Sequence, residues 1–241
     1  MLHRLLSVAL LMAVAGSASA AEKTGFVDKV FKNEDGHESP YVVFVPHNYD
    51  GTKEVPVILF LHGAGETKGG TAMPINQGIA NHIKGKREKT FPAITIIPQA
   101  ETRGWGAEGP NAKRALAMLD ATMKEYKCDA KRVYLTGLSM GGFGTWSVAF
   151  HHPDRWAAIV PICGGGDPKG AEKIKDIPCW VWHGDQDRAV KVDLSRQMVE
   201  ALKKAGGSPR YTELAHIGHN SWDPAYASDD LYAWLFAQKK K

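Results

Sequence analysis

The chain has 241 residues, 44% hydrophobic and 23% charged, with 25 Gly, 13 Pro and a formal net charge of +4. That composition is ordinary for a globular protein and excludes disordered, collagenous and disulfide-scaffold classes. The positive charge is small and scattered, so no nucleic-acid surface is expected; the Lys84 to Lys89 cluster and the Lys239-Lys240-Lys241 tail read as a solvated loop and end.

In chain order, the N-terminus offers His3-Arg4, an apolar run from Leu5 to Val14, and Ala18-Ser19-Ala20, the small-x-small pattern that a signal peptidase needs. Cleavage after Ala20 is expected, giving a 1–20 signal peptide, a single domain over 21–241 and a secreted or periplasmic address. The run is too short to span a bilayer, and with no twin-Arg pair and no Cys at the cleavage point no membrane anchor is expected after processing. Strand-like stretches follow at Thr24 to Phe31, Tyr41 to Pro46, Val55 to His62, Ala93 to Pro98, Arg132 to Gly137, Trp156 to Ile162, Pro178 to His183 and Arg210 to Leu214. Helical patterns fall near Ile75 to Ile83, Ala112 to Lys127, Gly142 to Phe150, Asp193 to Ala205 and Ala225 to Gln238. Alternation of the two implies an α/β fold with a mostly parallel eight-stranded sheet flanked by helices, the first two strands forming an antiparallel edge. The continuously apolar runs from Val57 to Leu61 and Ala158 to Ile162 suit central strands covered on both faces. Between Gly164 and Ile177 there is no room for a helical cap domain. Of three cysteines, Cys163 ends one strand and Cys179 begins the next, opposite ends of a parallel pair and beyond disulfide reach; Cys128, Cys163 and Cys179 are expected as buried thiols.

Gly137-Leu138-Ser139-Met140-Gly141-Gly142 lies between a strand and a helix, where a strained turn can expose a serine if the residues two before and two after it carry no side chain. A serine hydroxyl is a weak nucleophile, so it needs a general base within reach and an acid that orients that base. On such a sheet acid and base follow the serine in that order, which limits the base to His183, His216 or His219. His183 precedes both candidate acids; His219, beyond the flexible Gly218, is favoured over His216. Asp185 and Asp187 both suit the acid, and Asp187 is favoured because Asp185 sits directly on the Gly184 turn. The amides of Met140 and Ala64 are the candidate oxyanion hole. Trp105, Trp182 and Trp222 are candidate substrate contacts, Trp105 because it lies on a polar, Gly-rich loop, although Trp180 and Trp182 alternate and at least one of them belongs to the core. Glu66 lies near the oxyanion loop without a derivable role, and the His151-His152 pair reads as a helix end rather than a metal site.

With Leu61-His62-Gly63-Ala64-Gly65-Glu66, the Gly137 to Gly144 turn, His183-Gly184-x-x-Asp187 and Gly218-His219-Asn220-Ser221-Trp222, the chain resembles the α/β-hydrolase superfamily. Within it, the chain is similar to the secreted phospholipase/carboxylesterase or "predicted peptidase" group, near dienelactone hydrolases, feruloyl and acetylxylan esterases and polyhydroxybutyrate depolymerases. The resemblance runs from about Tyr41 to Leu235 and implies Ser139 as nucleophile, Asp187 as acid, His219 as base and the Ala64 and Met140 amides as oxyanion hole. The function it implies is a secreted serine ester hydrolase without metal or organic cofactor, acting on small-molecule or polymer-borne esters. A prolyl-oligopeptidase-type serine peptidase and a non-catalytic binding protein on the same scaffold are the alternatives, and the oligomeric state stays open.

Overall fold

The computed structural model describes residues 23–67 and 74–241; the expected leader therefore lies outside the described residues. Eight strands form one sheet in the order β1-β2-β4-β3-β5-β6-β7-β8. They are β1 (Gly25–Lys32), β2 (Glu38–Val45), β3 (Val55–Leu61), β4 (Ile94–Pro98), β5 (Cys128–Leu138), β6 (Ala158–Ile162), β7 (Trp180–Gly184) and β8 (Arg210–Leu214). As the sequence implies, β1 and β2 form the antiparallel edge and all pairings from β4 to β8 are parallel. The helices are α1 (Gly78–His82), α2 (Pro110–Glu125), α3 (Met140–His151), α4 (Ala171–Ile174), α5 (Asp193–Lys204), α6 (Trp222–Ala227) and α7 (Asp229–Ala237).

Strand β3 shows how the two layers arise. Its run of apolar side chains alternates across the sheet: Val57, Leu59 and Leu61 join residues of α2, α3, α4 and α5, while Ile58 and Phe60 join residues of α1, α6 and α7. Each such buried side chain contributes about 1.5–3 kcal/mol relative to exposure. The helices bury stripes at the matching period: Ala112, Ala115, Leu116 and Leu119 in α2, and Met198, Val199 and Leu202 in α5.

Two expectations are corrected. The single helix expected near Ala225 to Gln238 is two helices, divided where Ser228 adopts an extended backbone and its side chain accepts the Leu231 N–H to start α7. Cys128 is only half-buried, because β5 begins at the rim of the sheet, whereas Cys163 and Cys179 are fully enclosed, at opposite ends of the β6–β7 pair, and all three are free thiols. No helix among the described residues is long and apolar enough to cross a membrane.

Candidate active site

Strand β5 delivers Ser139 at its carboxyl end, and α3 starts at the next residue. The turn between them puts Ser139 at φ 52°, ψ −116°, a conformation that costs a non-glycine residue on the order of 1–3 kcal/mol. Close packing holds it there. A Cβ on Gly137 would stand 2.4 Å from the Gly141 carbonyl oxygen, and one on Gly141 only 1.9 Å from that of Leu61, so the turn closes only with glycine at both positions. Beneath it, the Ser139 N–H donates to the Ile162 carbonyl at 3.0 Å and approaches Cys163 Sγ at 3.3 Å.

The loop after β7 brings Asp187 to the same edge, and the loop after β8 brings His219. Gly184 permits their approach: a Cβ there would lie 2.3 Å from the carbonyl oxygens of both Ile217 and Gly218. His219 Nε2 lies 2.9 Å from Ser139 Oγ, and His219 Nδ1 lies 2.7 Å from Asp187 Oδ2. Burial alone would raise the Asp187 carboxyl, but the hydrogen bond from His219 and the Val190 and Ala189 amides outweigh it and hold the group below its ordinary value. An ionised carboxylate only accepts, so Nδ1 of His219 carries the proton and Nε2 is left to accept from the Ser139 hydroxyl.

His183 completes this cluster in a position that chain order does not reveal. Its ring is enclosed, with Nε2 3.1 Å from Asp187 Oδ2 and 3.0 Å from the Val190 carbonyl, and Nδ1 2.7 Å from Ser195 Oγ. Burial lowers its proton affinity, and the carbonyl contact places the proton of the neutral ring on Nε2, from which it donates to Asp187. The spacing His183-x-x-x-Asp187 around a glycine turn is the signal that would have found it. By contrast, Asp185 stays on the turn, its N–H donating to Leu214, and His216 lies out on the surface beside Gln186.

Ala64 and Met140 each open a helical turn, where a backbone N–H has no intrahelical acceptor. The Ala64 loop is clamped from three sides. His62 Nδ1 donates to the Gly63 carbonyl at 2.6 Å and Nε2 accepts the Ala100 N–H at 2.9 Å, which fixes a neutral tautomer; burial lowers its pKa to about 4. The Trp105 indole N–H donates to the His62 carbonyl at 3.0 Å, and Gln99 donates to the Glu66 carbonyl. Glu66 is itself buried beside Gly63, and burial pushes its carboxyl up.

The aromatic expectations divide. Trp222 stands edge-on to His219 with ring centroids 5.3 Å apart. Trp182 does not face the site: it is buried and stacks on Trp180 at 5.3 Å within the core, because its position on β7 points it under α6 and α7. Trp105 is 2% exposed and anchors the Ala64 loop, its own polar, Gly-rich loop folding down onto His62. Cys163, Asp187 and His219 offer ligand-type atoms within 4.8 Å of one another. Burial pushes the Cys163 thiol up to about 12. His151 Nδ1 meets the Ser147 carbonyl at 2.8 Å, consistent with a helix-end role.

Residues 108–182 match the prolyl oligopeptidase family. Over 178 residues, 72% of this chain and 24% of the relative, the sequence is 29% identical to a bifunctional acetylxylan esterase/xylanase of Neocallimastix patriciarum. It is 23% identical over 201 residues, 81% of this chain and 71% of the relative, to a probable feruloyl esterase C of Aspergillus terreus. The crystal structure of a thermostable esterase superimposes with a TM-score of 0.82 at 34% identity, covering 89% of this chain and 63% of that one. The chain thus spans about a quarter of the first relative and less than two thirds of the thermostable esterase.

Proposed function

As an α/β-hydrolase of the esterase group, the protein is, we propose, a serine carboxylic-ester hydrolase working through Ser139, His219, Asp187 and an acyl-enzyme. The observation that supports this most is the unbroken line of hydrogen bonds from Ser139 Oγ through His219 to Asp187, at 2.9 and 2.7 Å. Ser139 Oγ attacks the ester carbonyl as its proton passes to His219 Nε2, and Asp187 stabilises the imidazolium. The negative charge that grows on the carbonyl oxygen is met by the Ala64 and Met140 amides. His219 then returns the proton to the departing alkoxide, and water repeats the sequence on the acyl-enzyme to release the acid and restore Ser139. Acetyl, feruloyl or similar acyl groups borne on bulky or polysaccharide carriers are the substrates we propose, with export through the 1–20 leader.

The second reading, a peptidase of the prolyl oligopeptidase type, is favoured by the family match over 108–182. Turnover of p-nitrophenyl esters, methyl ferulate, acetylated xylan and a chromogenic proline peptide separates the two, with Ser139→Ala as blank. Ester cleavage lost in the blank supports the proposal. Cleavage of the peptide alone favours the second reading, and a folded protein that cuts nothing and takes no serine-reactive phosphonate favours a binding module.

A further inference from the structure

A cleft of about 480 Å³ opens along α3, the helix that starts at the residue after Ser139, on the α2 to α5 side of the sheet. Its walls are Trp105, Phe143, Phe150 and Leu194, and glycines at 106 and 165 leave it wide. Phe143 is 40% exposed, one of two large hydrophobic residues so exposed among the described residues, and its ring has no aromatic partner among them. Burying that face under a ligand recovers a hydrophobic gain that the free protein forgoes.

Position ties the cleft to the chemistry. Phe143 is four residues along α3 from Ser139, about 6 Å at the helical rise, and the cleft continues past it to Ser147 and His151, well beyond what an acetyl group needs. The loop that carries Trp105 is joined to the residue after the nucleophile by the Gly104 N–H, which donates to Met140 Sδ at 3.1 Å. The volume falls in the range of small-molecule sites, which are mostly apolar with few polar groups.

Which half of an ester enters follows from the base. His219 protonates the departing oxygen, so the alcohol leaves on the His219 side, where Trp222 packs with the α1, α6 and α7 layer. The cleft lies with the opposite layer. We propose that the Trp105–Phe143–Leu194 cleft is the acyl subsite and takes an aromatic or comparably bulky apolar acyl group; this rests on the serine-ester reading above.

The test holds the alcohol constant and changes the acyl group, then the reverse: methyl cinnamate, methyl acetate and benzyl acetate, with wild type, Phe143→Ala and Gly106→Leu. A Cβ at Gly106 meets nothing within 4 Å, so leucine there fills the cleft without displacing the fold. Each variant is expected to lower the ratio of kcat/KM for methyl cinnamate over methyl acetate by about tenfold, mainly through KM. An unchanged ratio overturns the proposal, and so does a selective loss on benzyl acetate, which would assign the cleft to the alcohol. Cinnamate binding to Ser139→Ala, with and without Gly106→Leu, is read by tryptophan fluorescence and needs no turnover. Binding that Gly106→Leu abolishes supports the cleft even if no ester is cut, the result that would sink the esterase reading alone; absence of binding overturns the cleft.

Discussion

Asp187 accepts from four donors, the rings of His219 and His183 and the amides of Ala189 and Val190, and its carboxylate is fully enclosed. Such a group is fixed in place and stays ionised, which is what holding a histidine tautomer requires. Asp187→Asn is therefore expected to lower kcat by about 10⁴, as an amide favours the wrong tautomer, with Asp185→Asn costing far less; the reverse ranking would transfer the acid role to Asp185. His183 acts through Asp187 as a positioning residue. His183→Gln is expected to reduce kcat by roughly ten- to a hundredfold with KM nearly unchanged, since the ring lies behind the carboxylate and touches no substrate; a change confined to KM would refute that role. His62 carries a pH signature. Its folded pKa of about 4 lies below the ordinary 6.5, so between those values the unfolded chain binds a proton that the folded chain refuses. Stability contributed by the neutral ring is complete above pH 6.5 and lost as pH falls toward 4, about 3 kcal/mol in all. Glu66, whose carboxyl burial pushes above its ordinary value, contributes in the opposite sense, losing stability as pH rises through that raised value. Urea unfolding between pH 7 and 4.5 is expected to show a shallower pH slope in His62→Gln than in wild type; equal slopes would show that His62 is not the group responsible.

Each element of the site ends where the chain turns at the carboxyl edge of the sheet, and the glycines there set how closely the turns approach. Gly184→Ala drives a methyl group into the carbonyls of Ile217 and Gly218, so the His219 loop must retreat. Loss of activity greater than loss of stability is expected, and full activity in that variant would show that the β7 turn does not hold His219. The triad candidates could be read from these turns because a strand that ends in glycine beside a reactive side chain is a local pattern. His183 was legible as a partner of Asp187 only through the His183-x-x-x-Asp187 spacing around a glycine turn, because its role depends on the ring being folded back beneath the loop. The break at Ser228 was in principle legible: Ser228-Asp229-Asp230 before an apolar run is a helix start, yet the apolar spacing runs on through it and suggests one helix. Ser228→Ala is expected to cost about 1 kcal/mol in chemical denaturation, and no change would mean that the cap carries no weight.

Across the whole molecule, the strand sequence and the parallel sheet were readable because fully apolar strands alternate with amphipathic helices. What was not readable is which aromatic faces which layer. Trp105 and Trp182 look alike in sequence, as tryptophans near loops, yet one donates its indole N–H to the His62 carbonyl and the other stacks in the core. Phe143 is not legible as a surface residue, because an apolar residue in an apolar helix is ordinarily core, and only the folded α3 shows it facing outward. The segment 164–177 holds α4 and a loop whose residues 165–167 line one side of the cleft. All of this depends on Ser139 being activated by His219. The most direct measurement is intact and peptide mass after treatment with a fluorophosphonate, comparing wild type, Ser139→Ala and His219→Ala. A single adduct on Ser139, absent from Ser139→Ala and formed far more slowly in His219→Ala, is the expected result; an unlabelled wild type, or an adduct on another residue, would contradict it.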